Sequence, residues 1–143
     1  MNYREMTIND YEEVMSVWAE SEGLKLRDAD SKEGIHTYLE RNPDLSFVAV
    51  SDNCIVGTIM SGHDGKRGYI QHLSVLPAYR NQGVAKTLVD HALASLKGVG
   101  ISKSHIHVLA DNVQAKAFWI KQGWLKRDDI ETYSYINGSE ENA

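Results

Sequence analysis

The chain has 143 residues, of which 42% are hydrophobic and 24% are charged, a composition that excludes a disordered or fibrous protein. Its net charge of −5 argues against a general nucleic-acid binder. A lone cysteine, Cys54, excludes an intrachain disulfide and fits a reducing compartment. The sequence has neither an apolar run long enough to span a membrane nor a signal-peptide core. We therefore expect a cytoplasmic protein with no nucleic-acid or membrane partner, and either a monomer or a homodimer.

The first third of the chain predicts a short strand and two helices. Residues 3–6 form a strand candidate, and apolar residues recur at helical spacing through 10–21. A polar stretch follows. Ser31 is then placed to cap a second helix, which ends before Pro43 because the residue before a proline is kept out of the helical region.

The middle of the chain predicts a hairpin and a crossover. Residues 47–50 and 54–60 are strands joined by a tight turn, and 69–75 is the next strand. A long helix over 83–97 separates this strand from another at 104–109. A strand–helix–strand connection of this kind predicts that the two strands run parallel.

The last third predicts a helix over 113–122 and two strands, 124–126 and 132–136. The full order is β-α-α-β-β-β-α-β-α-β-β, an α/β (α+β) fold with a mixed sheet. One domain is expected over residues 1–143, with 138–143 as a frayed acidic tail.

The most informative segment is the turn that enters the long helix. A helix opens at Gly83, and its first amides have no partners inside the helix, so they attract anions. Gly83 and Ala85 are small enough for a phosphate to approach the backbone, while Arg80 and Lys86 add positive charge. A plain strand-to-helix turn with an exposed basic pair is the alternative. A P-loop is excluded, because Arg80 and Ala85 occupy both of its glycine positions.

Two motifs carry a resemblance to a known family. The first is Arg80-x-x-Gly83-x-Ala85, and the second is Asn112-x-x-Ala115-x-x-Phe118-Trp119-x-x-x-Gly123-Trp124. Their types and spacing resemble the acetyl-CoA motif and the following block of the GNAT N-acetyltransferases. The predicted element order agrees with that family over nearly the whole chain.

The resemblance implies an acyl-CoA N-acyltransferase fold whose central parallel strands splay apart to hold acetyl-CoA, with no metal. Three groups of residues are expected to bind this cosubstrate: Leu73, Ser74 and Val75 along the pantetheine arm; Arg80, Asn81, Gln82, Gly83, Val84, Ala85 and Lys86 around the pyrophosphate; and Asn112, Phe118 and Trp119 near the thiol end.

The tyrosine that often serves as the general acid in this family is absent from the matching position. The family often uses a tyrosine to protonate the leaving thiolate, and Trp119 stands at that position. An indole N–H donates a hydrogen bond but has no accessible acid pKa. Trp119 either packs on its helix or lines the thioester slot. Tyr133, Tyr135 or water is left to supply the proton.

Candidates for the general base lie on the strand before the phosphate turn, where the family often places one. They are Tyr69, Gln71 and His72, and only histidine titrates near neutrality. In a regular strand Tyr69 and Gln71 face away from His72, but the family often has a bulge there that changes this parity. A structural, hydrogen-bonded role for His72 is the alternative.

The remaining polar clusters are less specific. His105 and His107 share a strand face, but no third metal ligand is fixed by spacing. Cys54 is expected to be a small core residue. The acidic loop 20–30 favours a cationic acceptor, whereas Arg27 within it suits an acceptor that carries a carboxylate.

These observations predict an N-acetyltransferase that moves an acetyl group from acetyl-CoA to a primary amine by direct attack in a ternary complex, since no covalent nucleophile stands out. The acceptor is a small amine, an amino-acid derivative or a protein amine. The alternative is a CoA-binding regulatory module with weak or no catalysis, which Trp119 would favour.

Overall fold

The computed structural model describes residues 1–22 and 24–139. Within them, one sheet has five strands in chain order: β1 Asn2–Glu5, β2 Phe47–Ser51, β3 Cys54–His63, β4 Gly68–Val75 and β5 Ser104–Ile106. The helices are α1 Tyr11–Ala19, α2 Lys32–Arg41, α3 Val84–Gly98 and α4 Val113–Lys121. Strands β1 to β4 are antiparallel, and β5 is parallel to β4 through the α3 crossover. The mixed sheet and the parallel pair confirm the predicted fold class.

Local signals set several of these boundaries. The Ser31 hydroxyl accepts a hydrogen bond from the amide of Gly34 at 3.1 Å, so it caps α2 as predicted. Asp52 and Asn53 have φ values of 50° and 64°, the left-handed conformation that two-residue hairpin turns between twisted strands require. These caps and turns are short-range features, which explains why the sequence predicts them well.

The two predicted C-terminal strands, 124–126 and 132–136, are absent. Residues 124–137 have no regular secondary structure, and the strand predicted over 104–109 ends at Ile106. A strand exists only when a neighbour completes its hydrogen-bond ladder. Within the described residues, nothing pairs with the outer edge of β5. Most of the predicted frayed tail, 140–143, lies outside the described residues.

Each face of the sheet is covered by its own helices. On one face, α3 packs Leu88, Ala92 and Leu96 against the strands, with Trp119 of α4 beside them. On the other face, α1 and α2 bury Trp18 and Ile35, among other apolar residues. None of the described helices is long and apolar enough to cross a membrane.

The centre of the sheet is irregular at two adjacent places. Strand β4 pairs with β5 only from Gly68 to Ile70, so the two parallel strands separate beyond that point. On its other side β4 shifts register against β3 between Thr58 and Met60. His72 lies in this bulge with a φ of 51°. The splay and the bulge are both features that the family resemblance implied.

Candidate active site

A buried histidine–carboxylate pair lies at the bulge. The Nε2 atom of His72 is 2.6 Å from Oδ1 of Asp30, and their side chains are only 13% and 11% exposed. The indole of Trp18 meets the imidazole edge-on, with ring centroids 4.7 Å apart. The ring is therefore held in place by a hydrogen-bonded carboxylate on one side and an aromatic surface on another.

Asp30 is itself fixed by the turn that carries it. Residues Asp28–Asp30 form one turn of 3-10 helix before α2, and the amide of Arg27 donates to Oδ2 of Asp30 at 2.8 Å. The Tyr11 hydroxyl donates to the backbone carbonyl of Asp30 at 2.8 Å. Burial raises the pKa of Asp30, but the hydrogen bonds from His72 and from the Arg27 amide outweigh it and hold that pKa below its usual value.

The ionised carboxylate decides which imidazole nitrogen carries the proton. A carboxylate can only accept, so Nε2 of a neutral His72 donates to Asp30 and Nδ1 keeps its lone pair. Within the described chain, Nδ1 has no hydrogen-bond partner. This arrangement leaves Nδ1 with a free lone pair that can accept a proton. The Asp30 carboxylate, bonded to the other ring nitrogen, fixes the orientation of the ring.

The bulge backbone is anchored from beneath. The hydroxyl of Thr58, which is fully buried, donates to the carbonyl of His72 at 2.8 Å. Thr58 in turn accepts from the indole N–H of Trp18 at 2.9 Å. The same tryptophan therefore contacts the His72 ring and supports its backbone.

A cavity of about 600 Å³ opens beside the pair, between α2 and β4. Asp30 and Gln71 line it from one side, and Glu33, Tyr38 and Arg41 line it from α2. The buried Tyr38 hydroxyl lies near the Gln71 side chain but forms no hydrogen bond of regular geometry among the described residues. Burial raises the pKa of Tyr38 to about 12, so the hydroxyl stays protonated and can donate to a ligand. Because of the bulge, Gln71 and His72 both contact the α1–α2 side of the sheet.

The turn before α3 has the geometry of an anion site. Gly83 begins the helix with a φ of 81°, and no atom lies within 4 Å of the position that a Cβ would take. The first helical bond runs from the Thr87 amide to the Gly83 carbonyl at 3.0 Å, so the amides of Val84, Ala85 and Lys86 have no partner in the described chain. A row of unpaired amides with open space beside Gly83 suits a pyrophosphate.

The comparisons with known proteins agree with this geometry. The model of the acetyltransferase (GNAT) family matches residues 8–124. This chain belongs to the GNAT family. It is an acetyl-CoA-dependent acetyltransferase, and the resemblance noted from its two motifs is confirmed.

Relatives and solved structures extend the match. An acetyltransferase of Sodalis glossinidius is 32% identical over 130 residues, which cover 91% of each chain. Ard1 from Thermoplasma volcanium superposes with a TM-score of 0.77 at 22% identity, over 87% of this chain and 82% of that one. The PaiA N-acetyltransferase from Thermoplasma acidophilum, solved with coenzyme A, gives 0.74 at 24% identity over 85% and 87%.

The residues of β4 that are predicted to contact acetyl-CoA would do so through their backbone groups. They lie where the edge of β4 that faces β5 is unpaired. Ser74 and Val75 pair with β3 on one side, and β5 has left the other side by then. Leu73 packs its side chain against the core. The Val75 carbonyl accepts from Nε of Arg80 at 3.1 Å, so one predicted acceptor for the pantetheine arm has a protein partner here.

The residues predicted to bind the pyrophosphate at the turn before α3 differ in whether their side chains are free to bind a ligand. The Gln82 amide group donates to the Ala78 carbonyl at 3.2 Å, and Asn81 takes a φ of 61° to shape the turn. The Lys86 ammonium pairs with Asp90 at 2.7 Å. The backbone amides, rather than free side-chain charges, are the open donors of this site.

The residues predicted at the thiol end all lie on or beside α4. The Asn112 side chain caps this helix by accepting from the Ala115 amide at 3.0 Å. Phe118 is half-buried against Trp119, with ring centroids 5.0 Å apart. Trp119 is 6% exposed and stacks edge-on with Trp124 at 4.7 Å. The indole therefore packs in the core, and a role in the thioester slot stays a prediction.

The structure overturns the expected core position of Cys54, while the catalytic roles expected of Tyr133 and Tyr69 stay predictions. Tyr133 is 88% exposed, and its hydroxyl donates to Glu131 at 3.4 Å, because the strand expected to carry it towards the site is not formed. Tyr69 lies in the N-terminal half of β4, where its hydroxyl donates to Asp64 and makes no bond to His72 within the described chain. Cys54 is exposed rather than in the core, since it directly follows the hairpin turn.

No group of three potential metal ligands is present in the part of the chain that the structure describes. His107 follows the last residue of β5, so it does not share a regular strand face with His105. A metal site shared by His105 and His107 would need both residues on one face of a regular strand. The two histidines lack that arrangement.

Sequence reasoning missed Asp30 as an individual residue. It named the acidic loop 20–30 but could not tell which carboxylate would meet His72, 42 positions away. One local signal was available, because a carboxylate three residues after Arg27 bonds back to the Arg27 amide as in a capping box. That pattern predicts a fixed Asp30, although not its partner.

Replacing Gly34 with alanine tests how closely the Asp30 turn must pack on α2. A Cβ at Gly34 would overlap the carbonyl oxygen of Ala29, so the turn has to shift. We expect Gly34→Ala to lower the free energy of unfolding by about 1–3 kcal/mol and to reduce acetyl transfer, because Asp30 moves with the turn. Chemical denaturation and a turnover assay measure both. Gly98→Ala, which meets no atom within 4 Å, is the control; equal effects in the two variants would refute the packing argument.

Replacing Trp119 with phenylalanine separates packing from acid catalysis. The smaller ring leaves a void beside Trp124, so we expect unfolding to become easier by about 1–3 kcal/mol. Turnover by the folded enzyme should change less than tenfold, because an indole N–H is not a proton donor of useful acidity. A loss of about 100-fold or more with acetyl-CoA affinity kept would contradict this, since acid–base roles contribute that much.

Proposed function

We propose that this enzyme transfers the acetyl group of acetyl-CoA to a primary amine by direct attack in a ternary complex, with His72 as the general base and Asp30 as its positioning residue. The observation that carries the proposal is the 2.6 Å contact between the two side chains at the β4 bulge. This bulge borders both the splayed edge of β4 and the cavity beneath α2.

Backbone groups would bind acetyl-CoA, the acetyl donor. The unpaired amides at the start of α3 would bind the pyrophosphate, and the edge of β4 left open beyond Ile70 would bind the pantetheine arm as an added strand. Acetyl-CoA supplies the activated acyl group and a thiolate leaving group. Because the donors are fixed before binding, side-chain replacements at His72 should leave the affinity for this cosubstrate nearly unchanged.

The acceptor must lose a proton before it can attack. An alkyl amine titrates near ~10.4, so it arrives as an ammonium ion at neutral pH. Nδ1 of His72 would take that proton, directly or through a water ordered by Gln71, while Nε2–H stays bonded to Asp30. The buried carboxylate stabilises the imidazolium that forms, as its counter-charge. After attack, the nitrogen loses its second proton to water as the C–S bond breaks, and water delivers a proton to the leaving thiolate, since neither Trp119 nor the exposed Tyr133 is suited to do so.

The cavity beneath α2 supports one acceptor class over the others. Asp30 and Glu33 favour an ammonium group, whereas Arg41 at the same cavity favours an anion. Tyr38, which lines the same cavity, adds a neutral hydroxyl donor. An amino-acid derivative, which carries both charges, complements this lining better than a simple alkyl amine.

A thiol-release assay over an amine panel tests this function. The panel pairs each acceptor with an analogue that differs only in its carboxylate, and mass spectrometry identifies the acetylated nitrogen. We expect amine-dependent thiol release, with higher kcat/KM for the carboxylate-bearing member of each pair. Binding of acetyl-CoA with no amine-dependent release from any member would instead identify a regulatory module. Arg41→Ala should remove the preference for the carboxylate and leave transfer to alkyl amines intact.

A further inference from the structure

The backbone conformation of His72 needs support from its surroundings. Its φ of 51° lies in the left-handed region, which residues other than glycine occupy only at an energetic cost. Neighbouring residues of a regular strand face opposite sides of the sheet, so the bulge is also what brings Gln71 and His72 to the same side. If His72 relaxed to an extended conformation, its ring would move away from Asp30. The position of the imidazole therefore depends on the contacts that hold the backbone at this residue.

Two buried side chains hold that backbone through successive hydrogen bonds. The indole Nε1–H of Trp18 donates to Oγ1 of Thr58 at 2.9 Å, and this hydroxyl donates to the carbonyl of His72 at 2.8 Å. Trp18 and Thr58 are 1% and 0% exposed, so water does not compete for either bond. An indole N–H can only donate and a carbonyl can only accept, which fixes the direction of the Thr58 hydroxyl. Each bond polarises the hydroxyl in the sense that strengthens the other.

The hydrogen bonds connect three different elements of the fold. Trp18 lies on α1, Thr58 on β3 and His72 on β4. The Trp18 indole also meets the His72 imidazole edge-on, with ring centroids 4.7 Å apart. The same side chain thus contacts the ring directly and reaches the backbone of His72 through Thr58. Asp30 bonds to the ring alone, so the backbone conformation is left to Trp18 and Thr58.

We propose that Trp18 and Thr58 are positioning residues for acetyl transfer. They keep the bulge at His72 in its left-handed form, so that Nε2 stays bonded to Asp30 and Nδ1 stays available for the proton of the acceptor. This inference rests on the proposed role of His72 as the general base. Neither Trp18 nor Thr58 lines the cavity beneath α2, so their effect on turnover has to pass through His72.

The ring proton of His72 tests the positioning without reference to catalysis. A short N–H···O bond to a carboxylate moves its proton resonance downfield in an NMR spectrum, and the resonance is assigned by its absence in His72→Asn. We expect Thr58→Val, which removes the hydroxyl at nearly constant shape, to lose this resonance. Thr58→Ser, which restores a hydroxyl, should keep it.

A matched control separates positioning from a general loss of stability. Ser61 is a second buried residue of β3 whose hydroxyl donates to a backbone carbonyl, that of Leu45, away from the bulge. Ser61→Ala therefore removes a bond of the same kind from the same strand. This variant should keep both the His72 resonance and the wild-type turnover.

Turnover of the same variants connects the positioning to the reaction. Thr58→Val should lower kcat by about 10- to 100-fold, since a misplaced reactive group costs up to about 100-fold. Calorimetry should show an unchanged affinity for acetyl-CoA, and Thr58→Ser should keep most of the wild-type rate. Trp18→Phe removes the indole N–H but keeps the Thr58 hydroxyl, so its rate should fall between those two. It carries the test if Thr58→Val does not fold.

The two readouts separate this inference from the function on which it rests. A resonance that is retained in Thr58→Val overturns the positioning role, whatever the rate. An equal loss of rate in Ser61→Ala and Thr58→Val overturns it as well. A lost resonance with a full rate supports the positioning of the ring but refutes His72 as the base.

Discussion

Replacing Gly83 with glutamate is expected to weaken acetyl-CoA binding by at least 100-fold. The new carboxylate would stand at the row of unpaired amides that opens α3, where the pyrophosphate is expected. Each hydrogen bond to a charged phosphate is worth about 1.5–3 kcal/mol, so losing two of them exceeds a 100-fold change. Isothermal titration calorimetry with acetyl-CoA measures the effect directly.

The matched control for that variant is Gly100→Glu. Gly100 follows the other end of α3 with a φ of 90°, and like Gly83 it has open space where a Cβ would lie. The control therefore introduces the same charge and similar backbone strain, far from the N-terminal amides. Equal affinities in the two variants would show that the start of α3 is not the pyrophosphate site.

Replacing His72 with alanine is expected to lower turnover by about 10²–10⁴-fold, the usual size of a general-base contribution. The affinity for acetyl-CoA should stay within a few-fold, because we expect backbone groups to hold that molecule. His72 has a φ of 51°, a conformation that asparagine tolerates better than alanine. His72→Asn therefore tests whether the loss of rate in His72→Ala comes from a distorted bulge. Asn keeps a polar side chain but supplies no base, and it should be as slow as the alanine variant.

Two further variants assign the roles around His72. Asp30→Asn should lower kcat by about 10- to 100-fold with acetyl-CoA binding intact, because the ring loses its counter-charge and its fixed tautomer. Gln71→Ala, next to His72 and lining the cavity, should have a smaller effect. A full rate in Asp30→Asn would mean that the pair is a structural contact.

The parts of the fold that the sequence predicts are those with local causes. Ser31 caps α2, Asp52 and Asn53 turn the hairpin, and Gly83 opens α3, each through contacts within a few residues. Strands 124–126 and 132–136 have the right local pattern but lack a partner in the described chain. A strand depends on what lies beside it, so a local pattern alone does not decide whether these segments form strands.

The candidate site also combines features with local causes, which the sequence predicts, and features that depend on distant contacts, which it does not. The turn at the start of α3 was predictable, because Gly83 marks a helix start and the first amides of any helix lack partners within it. His72 was predictable as a candidate, since it is the titratable group nearest neutrality on β4. Its partner Asp30 was not, because a contact across 42 positions depends on how the loop before α2 packs over the bulge. The strand parity of Gln71 and His72 depends on a register shift that the family resemblance implied but that the strand's own residues do not encode.

The pH dependence of kcat/KM at subsaturating amine tests the central claim most directly. The wild-type rate should rise over the pH range in which the general base loses its proton, and then keep rising or level off as the amine itself deprotonates. Asp30 should not produce this inflection, because its pKa lies below the ordinary carboxyl value and it is ionised throughout that range. His72→Ala should lose the lower inflection together with its rate. If the His72→Ala enzyme keeps both the inflection and the wild-type rate, His72 is not the base.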